Sequence, residues 1–171
     1  MSFPTEPGAG GRGGVPDAEP GVYRFRTEAE QAGPAVFTAP GDVVGGGFGL
    51  FESAAVPGRI GAVPHYHQGF SESFWVISGR LAVMSGTRWE VLGSGDFAHV
   101  PVNGVHAFRA LGDDLARFLI LFVPGAPREE YFRRLAELLG RGASAEEIDA
   151  MALECDQVNL RDWRSDPIPE G

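Results

Sequence analysis

The sequence predicts an all-β barrel followed by C-terminal helices, and two observations support that fold class. Between about residues 21 and 124, short apolar runs are broken by glycine or proline roughly every eight to twelve residues, a spacing typical of sandwiches and barrels. No helical period competes with this pattern there. After the Pro-Gly break in "VPGAP", the apolar residues change to a helical period.

Eight strands follow from the apolar runs. They are predicted at residues 35–38, 47–55, 73–77, 80–84, 89–92, 97–100, 105–110 and 116–123. Ser85 and Gly86 separate the runs RLAVM and RWEVL and predict a tight hairpin turn, in which the glycine supplies a positive φ. The strands on either side of this turn should therefore pair antiparallel.

Two helices are predicted after the barrel. The apolar residues of the segment REEYFRRLAELL recur on one helical face, at Tyr131, Leu135, Leu138 and Leu139. Ser144, with Glu147 three residues later, forms a capping box that begins the second helix. We expect both helices to pack on the outside of the barrel and to bury their apolar stripes there, rather than to form a cofactor groove.

Composition divides the 171 residues into three parts. Residues 1–20 are dominated by glycine and proline and are predicted to form a flexible tail, because they bury too little apolar surface to offset the entropy of ordering. Residues 21–126 are predicted to form the barrel, and residues 127–171 a helical extension and tail. The length suits one main domain with a substantial core.

Charge and composition also exclude several classes of function. The net charge of −9 argues against nucleic acid or an anionic membrane as a partner, so a small molecule is the expected ligand. All 14 basic residues are arginine, which excludes lysine Schiff-base chemistry and lysine-dependent phosphate loops. The single cysteine, Cys155, cannot form an internal disulfide, and no apolar stretch is long enough to span a bilayer. We expect a cytoplasmic protein.

Two of the four histidines stand one residue apart in "PHYHQGFSESFWVISG", residues 64–79. In an extended strand His65 and His67 point to the same side and can converge on one ion. Glu72 begins the next apolar strand, where a carboxylate is costly unless a cation pairs with it. The alternative is that both histidines lie on the surface and that Glu72 is a solvated strand end. The pair alone does not decide between these interpretations.

A second histidine segment, "GSGDFAHVPVNGVHAF", lies at residues 93–108. Gly95-Asp96 and Asn103-Gly104 predict turns, and His106 falls on the strand after the second turn. Two or three histidines with one carboxylate, and with coordination positions left open, form a recognised catalytic metal site.

Together these segments resemble the two signature motifs of the cupin superfamily, which are small double-stranded β-helix, jelly-roll-like barrels. The spacings are His65-x-His67-x4-Glu72-x6-Gly79 and Gly95-x5-Pro101-x4-His106, with Asn103 where the motif commonly has glycine. The resemblance covers about residues 35–125 and extends to the single-domain cupins similar to quercetin 2,3-dioxygenase. It implies one divalent metal ion per subunit, held by His65, His67, Glu72 and His106, with iron, nickel, manganese, cobalt, copper and zinc all compatible.

The resemblance further implies a dioxygenase-type oxidoreductase that acts on a small aromatic or enolic substrate, flavonol-like or polyketide-like. Glu72 would then also be catalytic, as the general base for a substrate hydroxyl. Two alternatives stay open, because a fold does not determine a function. One is a non-redox metal-dependent cyclase or isomerase, and the other is a small-molecule-binding protein without turnover.

Further residues are candidates for the substrate pocket. They are Phe48, Leu50, Phe74, His99 and Phe108. The apolar members serve as pocket wall or core. His99 has two interpretations: a pocket residue that carries a proton, or an ordinary surface or interface histidine. We also expect a homodimer, because such barrels leave sheet edges and flat faces that a second copy can cover.

Overall fold

The structure is a computed structural model that describes residues 21–169. The predicted tail at residues 1–20 lies outside the described residues. Eleven strands are present among the described residues. In chain order they are β1 (Gln31–Ala32), β2 (Ala35–Ala39), β3 (Gly49–Ala55), β4 (Ala62–Tyr66), β5 (Ser71–Ser78), β6 (Arg80–Ser85), β7 (Arg88–Leu92), β8 (Phe97–Val100), β9 (His106–Leu111), β10 (Ala116–Val123) and β11 (Val158–Asn159). A short 3-10 turn, Arg26–Glu28, precedes them.

The strands form two antiparallel sheets whose inner faces enclose one core. The six-stranded sheet has the order β1-β2-β3-β10-β5-β8, and the five-stranded sheet has the order β11-β4-β9-β6-β7. The predicted fold class, mostly β with two C-terminal helices, is confirmed. Each of the eight predicted strands exists, with bounds that differ by at most two residues.

The core is largely aromatic and comes from alternating strand positions. In β3 and β10 every second residue is buried, as expected for strands with one face on a core. The fully buried phenylalanines are Phe37, Phe51, Phe74, Phe118 and Phe122.

Three turns show why particular residues occupy positions of positive φ. The hairpin between β6 and β7 is confirmed, with Ser85 opposite Arg88 and Gly86 at a φ of 65°. Gly79 joins β5 to β6 at a φ of 77°, and a Cβ there would collide with the backbone of Leu115, so only glycine fits. Asn103 adopts a φ of 64°, the left-handed conformation that asparagine tolerates where the motif commonly has glycine.

The helices are α1 (Arg128–Gly140) and α2 (Ala145–Glu154). The capping box of α2 is confirmed, with Ser144 and Glu147 each accepting a hydrogen bond from the backbone N–H of the other. Within the described residues, no helix is long and apolar enough to cross a membrane.

Helix α1 joins the core of the barrel only near its start. Phe132 lies 5.3 Å from Phe51 and 6.3 Å from Phe37, measured between ring centroids, so the aromatic start of α1 packs against buried residues of the six-stranded sheet. Leu139 belongs to the apolar helical face that the sequence predicts to be buried, but it is 58% exposed. The large aromatic rings near the start of α1 bury more apolar surface than the leucines near its end, and they determine which side faces inward.

Candidate metal centre and adjoining cavity

The four motif residues meet between the two sheets. Strands β4 and β9 pair with His65 directly opposite His106, and His67 follows the end of β4. Glu72 lies on β5 of the other sheet and faces them. All four side chains are buried, and one potential ligand atom from each lies within 4.8 Å of the others. The structure therefore brings together the four residues that the motif predicts as ligands.

Backbone carbonyls orient the three imidazole rings. His65 Nδ1 lies 2.8 Å from the carbonyl oxygen of Val63, and His106 Nδ1 lies 2.9 Å from that of Gly104. His67 Nδ1 lies 2.6 Å from the carbonyl oxygen of Asp156. Because a carbonyl oxygen can only accept, each Nδ1 carries the proton and donates it. In the neutral rings every Nε2 is therefore a free lone pair, the tautomer that a metal ligand needs.

The contacts to Glu72 test whether a cation fits this site. His67 Nε2 and His106 Nε2 each lie 3.0 Å from Glu72 Oε2. A lone pair and a carboxylate oxygen at this distance repel each other unless a proton or a cation lies near both. Ligands about 2.1 Å from one ion and at right angles to each other would be about 3.0 Å apart, so the donor set fits a divalent cation.

Burial and neighbouring charges set the protonation of the cluster. Burial lowers the pKa of His65 well below 6.5, and repulsion by His106 and His67 outweighs the attraction of Glu72. Burial alone would raise the pKa of Glu72. When the His106 and His67 rings carry a proton on Nε2 as well as on Nδ1, they attract the carboxylate and donate hydrogen bonds to it, and this lowers the pKa of Glu72 well below its usual value. At neutral pH the cluster therefore contains a neutral His65 and an ionised Glu72, the forms that bind metal.

Acid should weaken both metal binding and folding. Between the lowered pKa of folded His65 and about 6.5, the unfolded chain binds a proton that the folded chain does not, so the free energy of unfolding falls as the pH falls. The lowered pKa of Glu72 acts in the same direction below about pH 4.5. We expect lower metal affinity and a lower Tm at about pH 5.5 than at about pH 7.5, measured by metal titration and thermal unfolding. A metal affinity unchanged down to about pH 5 would contradict three histidine ligands.

Asp156 holds the His67 loop from the C-terminal side. It has a φ of 54°, and its carboxylate accepts hydrogen bonds from the N–H groups of Gln68 (3.0 Å) and Gly69 (2.7 Å). Its carbonyl accepts the Nδ1 proton of His67. Strand β11 brings this segment back by pairing with β4. Asp156 is not among the residues predicted from the sequence, because its separation from His67 by 89 residues leaves no local signal.

Phe70 and Asn103 support the same histidine. The Phe70 ring stacks on the His67 ring with 4.2 Å between centroids and 26° between planes. The N–H of Asn103 donates to the carbonyl of His67 at 2.8 Å, which links the turn of the second motif to the first. His67 is therefore fixed on one ring face, at Nδ1 and through its backbone.

A cavity of about 300 Å³ adjoins the cluster, and His65 and Glu72 form part of its wall. Apolar side chains supply much of the lining, including Ile60, Phe108, Ile120, Phe122, Phe132 and Leu135. A few polar side chains interrupt this surface, among them Ser53, Arg128, Tyr131 and Gln157. Such a combination is typical of a pocket for a small organic molecule.

Two of the expected pocket residues lie at or behind this cavity. Phe108 lines it. Phe74 is fully buried behind the wall, 5.5 Å from the Phe108 ring and 6.2 Å from the His106 ring. Phe74 therefore supports one cavity residue and one of the four motif residues.

The other three expected pocket residues are not in the lining of this cavity. Phe48 is 38% exposed, and Leu50 occupies an outward position of β3 because Phe51 takes the inward one. His99 is exposed on the outer face of β8, opposite Ser73, and its Nδ1 lies 2.9 Å from Ser73 Oγ. The inward positions of β8 belong to Ala98 and Val100, so His99 is a surface histidine here.

Helix α1 contributes two polar cavity residues that sequence analysis missed, Arg128 and Tyr131. Burial raises the pKa of the Tyr131 hydroxyl despite the opposing charge of Arg128, so the hydroxyl stays protonated at neutral pH. A signal for Arg128 exists in the sequence. It precedes Tyr131 by three residues and Leu135 by seven, so it shares their inward helical face.

Comparison with known proteins identifies the strand region. Residues 52–122 match the model of the cupin domain. A stretch of 75 residues, 44% of the chain, is 35% identical to the quercetin 2,3-dioxygenase of Bacillus subtilis (strain 168). The match spans 22% of the length of that relative.

Several solved structures share the fold at low sequence identity. A predicted oxalate decarboxylase from Thermotoga maritima has a TM-score of 0.54 and 13% identity, over 60% of this chain and 99% of its own. The polyketide cyclase RemF from Streptomyces resistomycificus has a TM-score of 0.50 and 19% identity, over 60% and 78%. KdgF from Halomonas sp. has a TM-score of 0.52 and 19% identity, over 61% and 94%. These similarities concern the fold, and they confirm the predicted double-stranded β-helix.

Proposed function

The chain is a protein of the cupin superfamily, and from that premise we propose that it is a metal-dependent, dioxygenase-type oxidoreductase of a small aromatic or enolic substrate. The observation that carries the proposal is the set of three Nε2 lone pairs and one carboxylate that converge beside an apolar cavity. His65, His67, Glu72 and His106 would hold one divalent ion. The similarity to a quercetin 2,3-dioxygenase over 75 residues supports oxygen chemistry.

When bound, the ion would supply a Lewis acid and, if it is redox-active, a centre for oxygen chemistry. The side chains of this protein would do the rest. Both short contacts of Glu72 fall on Oε2, and within residues 21–169 no hydrogen bond engages Oε1. Because Glu72 lines the cavity, Oε1 is the atom we propose as the general base. It would take the proton of a substrate hydroxyl and leave an oxyanion.

The apolar wall would orient the substrate and exclude water. Phe108, Ile120 and Phe122 offer surfaces against which a flat ring can pack. A water-poor cavity also strengthens the interaction between the charged cluster and a developing oxyanion.

Oxygen consumption tests the proposal. The metal-free protein would be reconstituted separately with iron, nickel, manganese, cobalt, copper and zinc, and an oxygen electrode would follow uptake with flavonols and polyketide-like enols. Uptake stoichiometric with product would support the proposal. Product formed under nitrogen, with no uptake for any metal, would instead assign a cyclase or isomerase. Saturable binding without product would assign a binding protein.

We also propose a homodimer formed through the outer face of the six-stranded sheet. Trp75 and Phe97 lie directly opposite each other on β5 and β8 and are 51% and 57% exposed. In a dimer with two-fold symmetry, each copy would bury the Trp75–Phe97 pair of the other. We expect light scattering to give a dimer mass at micromolar concentration, and Trp75→Glu to give a monomer. Leu153→Glu, at another exposed apolar position (63%) on α2, is the control and should remain dimeric.

A further inference from the structure

The cavity contains a buried cation that the proposed chemistry does not use. Arg128, the first residue of α1, is only 3% exposed and belongs to the cavity wall. Its guanidinium carbon lies 3.8 Å from the ring centroid of Tyr131, 5.3 Å from that of Phe122 and 5.5 Å from that of Phe70. These aromatic rings hold the cation in one place.

The hydrogen bonds of Arg128 leave part of its capacity unused. Nη1 donates to the carbonyl of Cys155 at 3.0 Å, and Nη2 donates to Gln157 Oε1 at 2.8 Å. A guanidinium has five N–H donors, and Nε of Arg128 is buried without a partner among the described residues. Both acceptors are neutral. The charge of Arg128 therefore has no ion pair within hydrogen-bonding distance in residues 21–169, although burying a cation is costly.

Charge in the cavity favours a negative occupant. Glu72 is the only acidic residue in the cavity lining. A divalent ion would bring two positive charges beside this single carboxylate. The buried Arg128 adds a third, and the exposed Arg59 of the same lining adds a fourth. The Tyr131 hydroxyl, kept protonated by burial, is a neutral donor in the same wall. An anionic oxygen would balance the charge and satisfy the unused donors.

We infer that Arg128 binds a carboxylate of the substrate, so that the substrate class is a small aromatic or enolic carboxylic acid rather than a neutral flavonol. The inference rests on the proposed function, because it specifies the substrate of the same site. The cavity of about 300 Å³ suits such a compact molecule. The carboxylate would face Arg128, the hydroxyl would face Glu72, and the ring would pack on Phe108 and Phe122.

A purely structural role for Arg128 predicts a different outcome. Its two hydrogen bonds join the start of α1 to the segment after α2, so under this role a replacement would loosen this corner without any effect on charge selectivity. The experiment must therefore compare a charged ligand with a neutral ligand of the same shape. Salicylate and salicylamide form such a pair, because both keep the ring and the phenolic hydroxyl.

Calorimetry on the full chain loaded with zinc measures binding without turnover. In the wild type, salicylate should bind at least about 10-fold more tightly than salicylamide. Arg128→Gln should reduce this preference about 10-fold to 100-fold, the scale of a lost charge-assisted hydrogen bond. Arg128→Lys, which keeps the charge but loses the planar fork, should retain part of the preference. Arg109→Gln is the matched control, since Arg109 also has a buried, unpartnered Nε and lies over Trp89, but is not part of the cavity lining.

Two results would overturn the inference. One is equal binding of salicylate and salicylamide by the wild type, which needs no variant. The other is an unchanged preference for salicylate over salicylamide in Arg128→Gln, provided that the variant has the zinc content and near-UV circular dichroism of the wild type. If Arg128→Gln does not fold, Arg128→Lys takes its place, and a fully retained preference in that variant would overturn the inference. The outcome is independent of the oxygen measurement, because zinc is redox-inert. Failure of oxygen uptake would remove the dioxygenase proposal while this binding result stood.

Discussion

Glu72→Gln is expected to lower oxygen uptake by the reconstituted protein about 10²-fold or more while most of the metal stays bound. Glutamine keeps the size and shape of glutamate but cannot take a proton, and loss of a general base has effects of this scale. His65, His67 and His106 keep their Nδ1 hydrogen bonds to backbone carbonyls, so three Nε2 ligands remain in place. Metal analysis and the oxygen electrode, applied to the same preparation, separate the two effects.

A matched control for this variant is Glu90→Gln. Glu90 is a strand glutamate on β7 whose side chain is 70% exposed, and it does not line the cavity. Its replacement should leave both metal content and uptake unchanged. If Glu72→Gln lost its metal, the loss of activity would reflect the missing metal and not the missing base. If it kept both metal and full activity, Glu72 would not be the base.

His106→Ala is expected to empty the metal site. The ring of His106 lies 4.1 Å from that of His65, and its Nε2 lies 3.0 Å from Glu72 Oε2, so its removal opens the centre of the cluster. Dialysed wild type should contain about one divalent ion per chain, because the described residues contain one such cluster. The variant should retain less than about a tenth of that. Added metal should raise the Tm of the wild type and not that of the variant.

The fourth histidine provides the control for this experiment. His99→Ala removes an imidazole from the exposed outer face of β8. Within residues 21–169, the side-chain hydrogen bond of His99 is the one with the Ser73 hydroxyl. This variant should keep full metal content and the metal-dependent rise in Tm. A folded His106→Ala protein with full metal occupancy would contradict the assigned ligand set.

Much of the site could be predicted because its signals are local. His65 and His67 are separated by one residue, so strand alternation alone aligns their side chains. Gly79 and Asn103 mark turns whose positive φ angles are visible as residue preferences. The apolar runs that predicted eight strands reflect the same alternation, because each strand buries one face.

The pocket was harder to predict because it depends on which face of each element turns inward. Leu50 and Phe51 are both apolar, and only the packing of β3 between β2 and β10 decides that Phe51 enters the core. His99 likewise lies on the surface because Ala98 and Val100 take the inward positions of β8. The position of α1 follows from aromatic rings that find their partners on β2 and β3, far away in the sequence.

By itself, then, the sequence determined the β-rich fold, the helical C-terminal segment and the four residues of the buried histidine–glutamate cluster, since alternation, turn preferences and motif spacing act over a few residues. Only the tertiary structure decided that Asp156 holds His67 and that Arg128 enters the cavity. Both depend on contacts between segments that are tens of residues apart, which the chain makes only when β11 pairs with β4 and the start of α1 packs against β2 and β3. The energy of such contacts comes from shared burial, which no local pattern encodes.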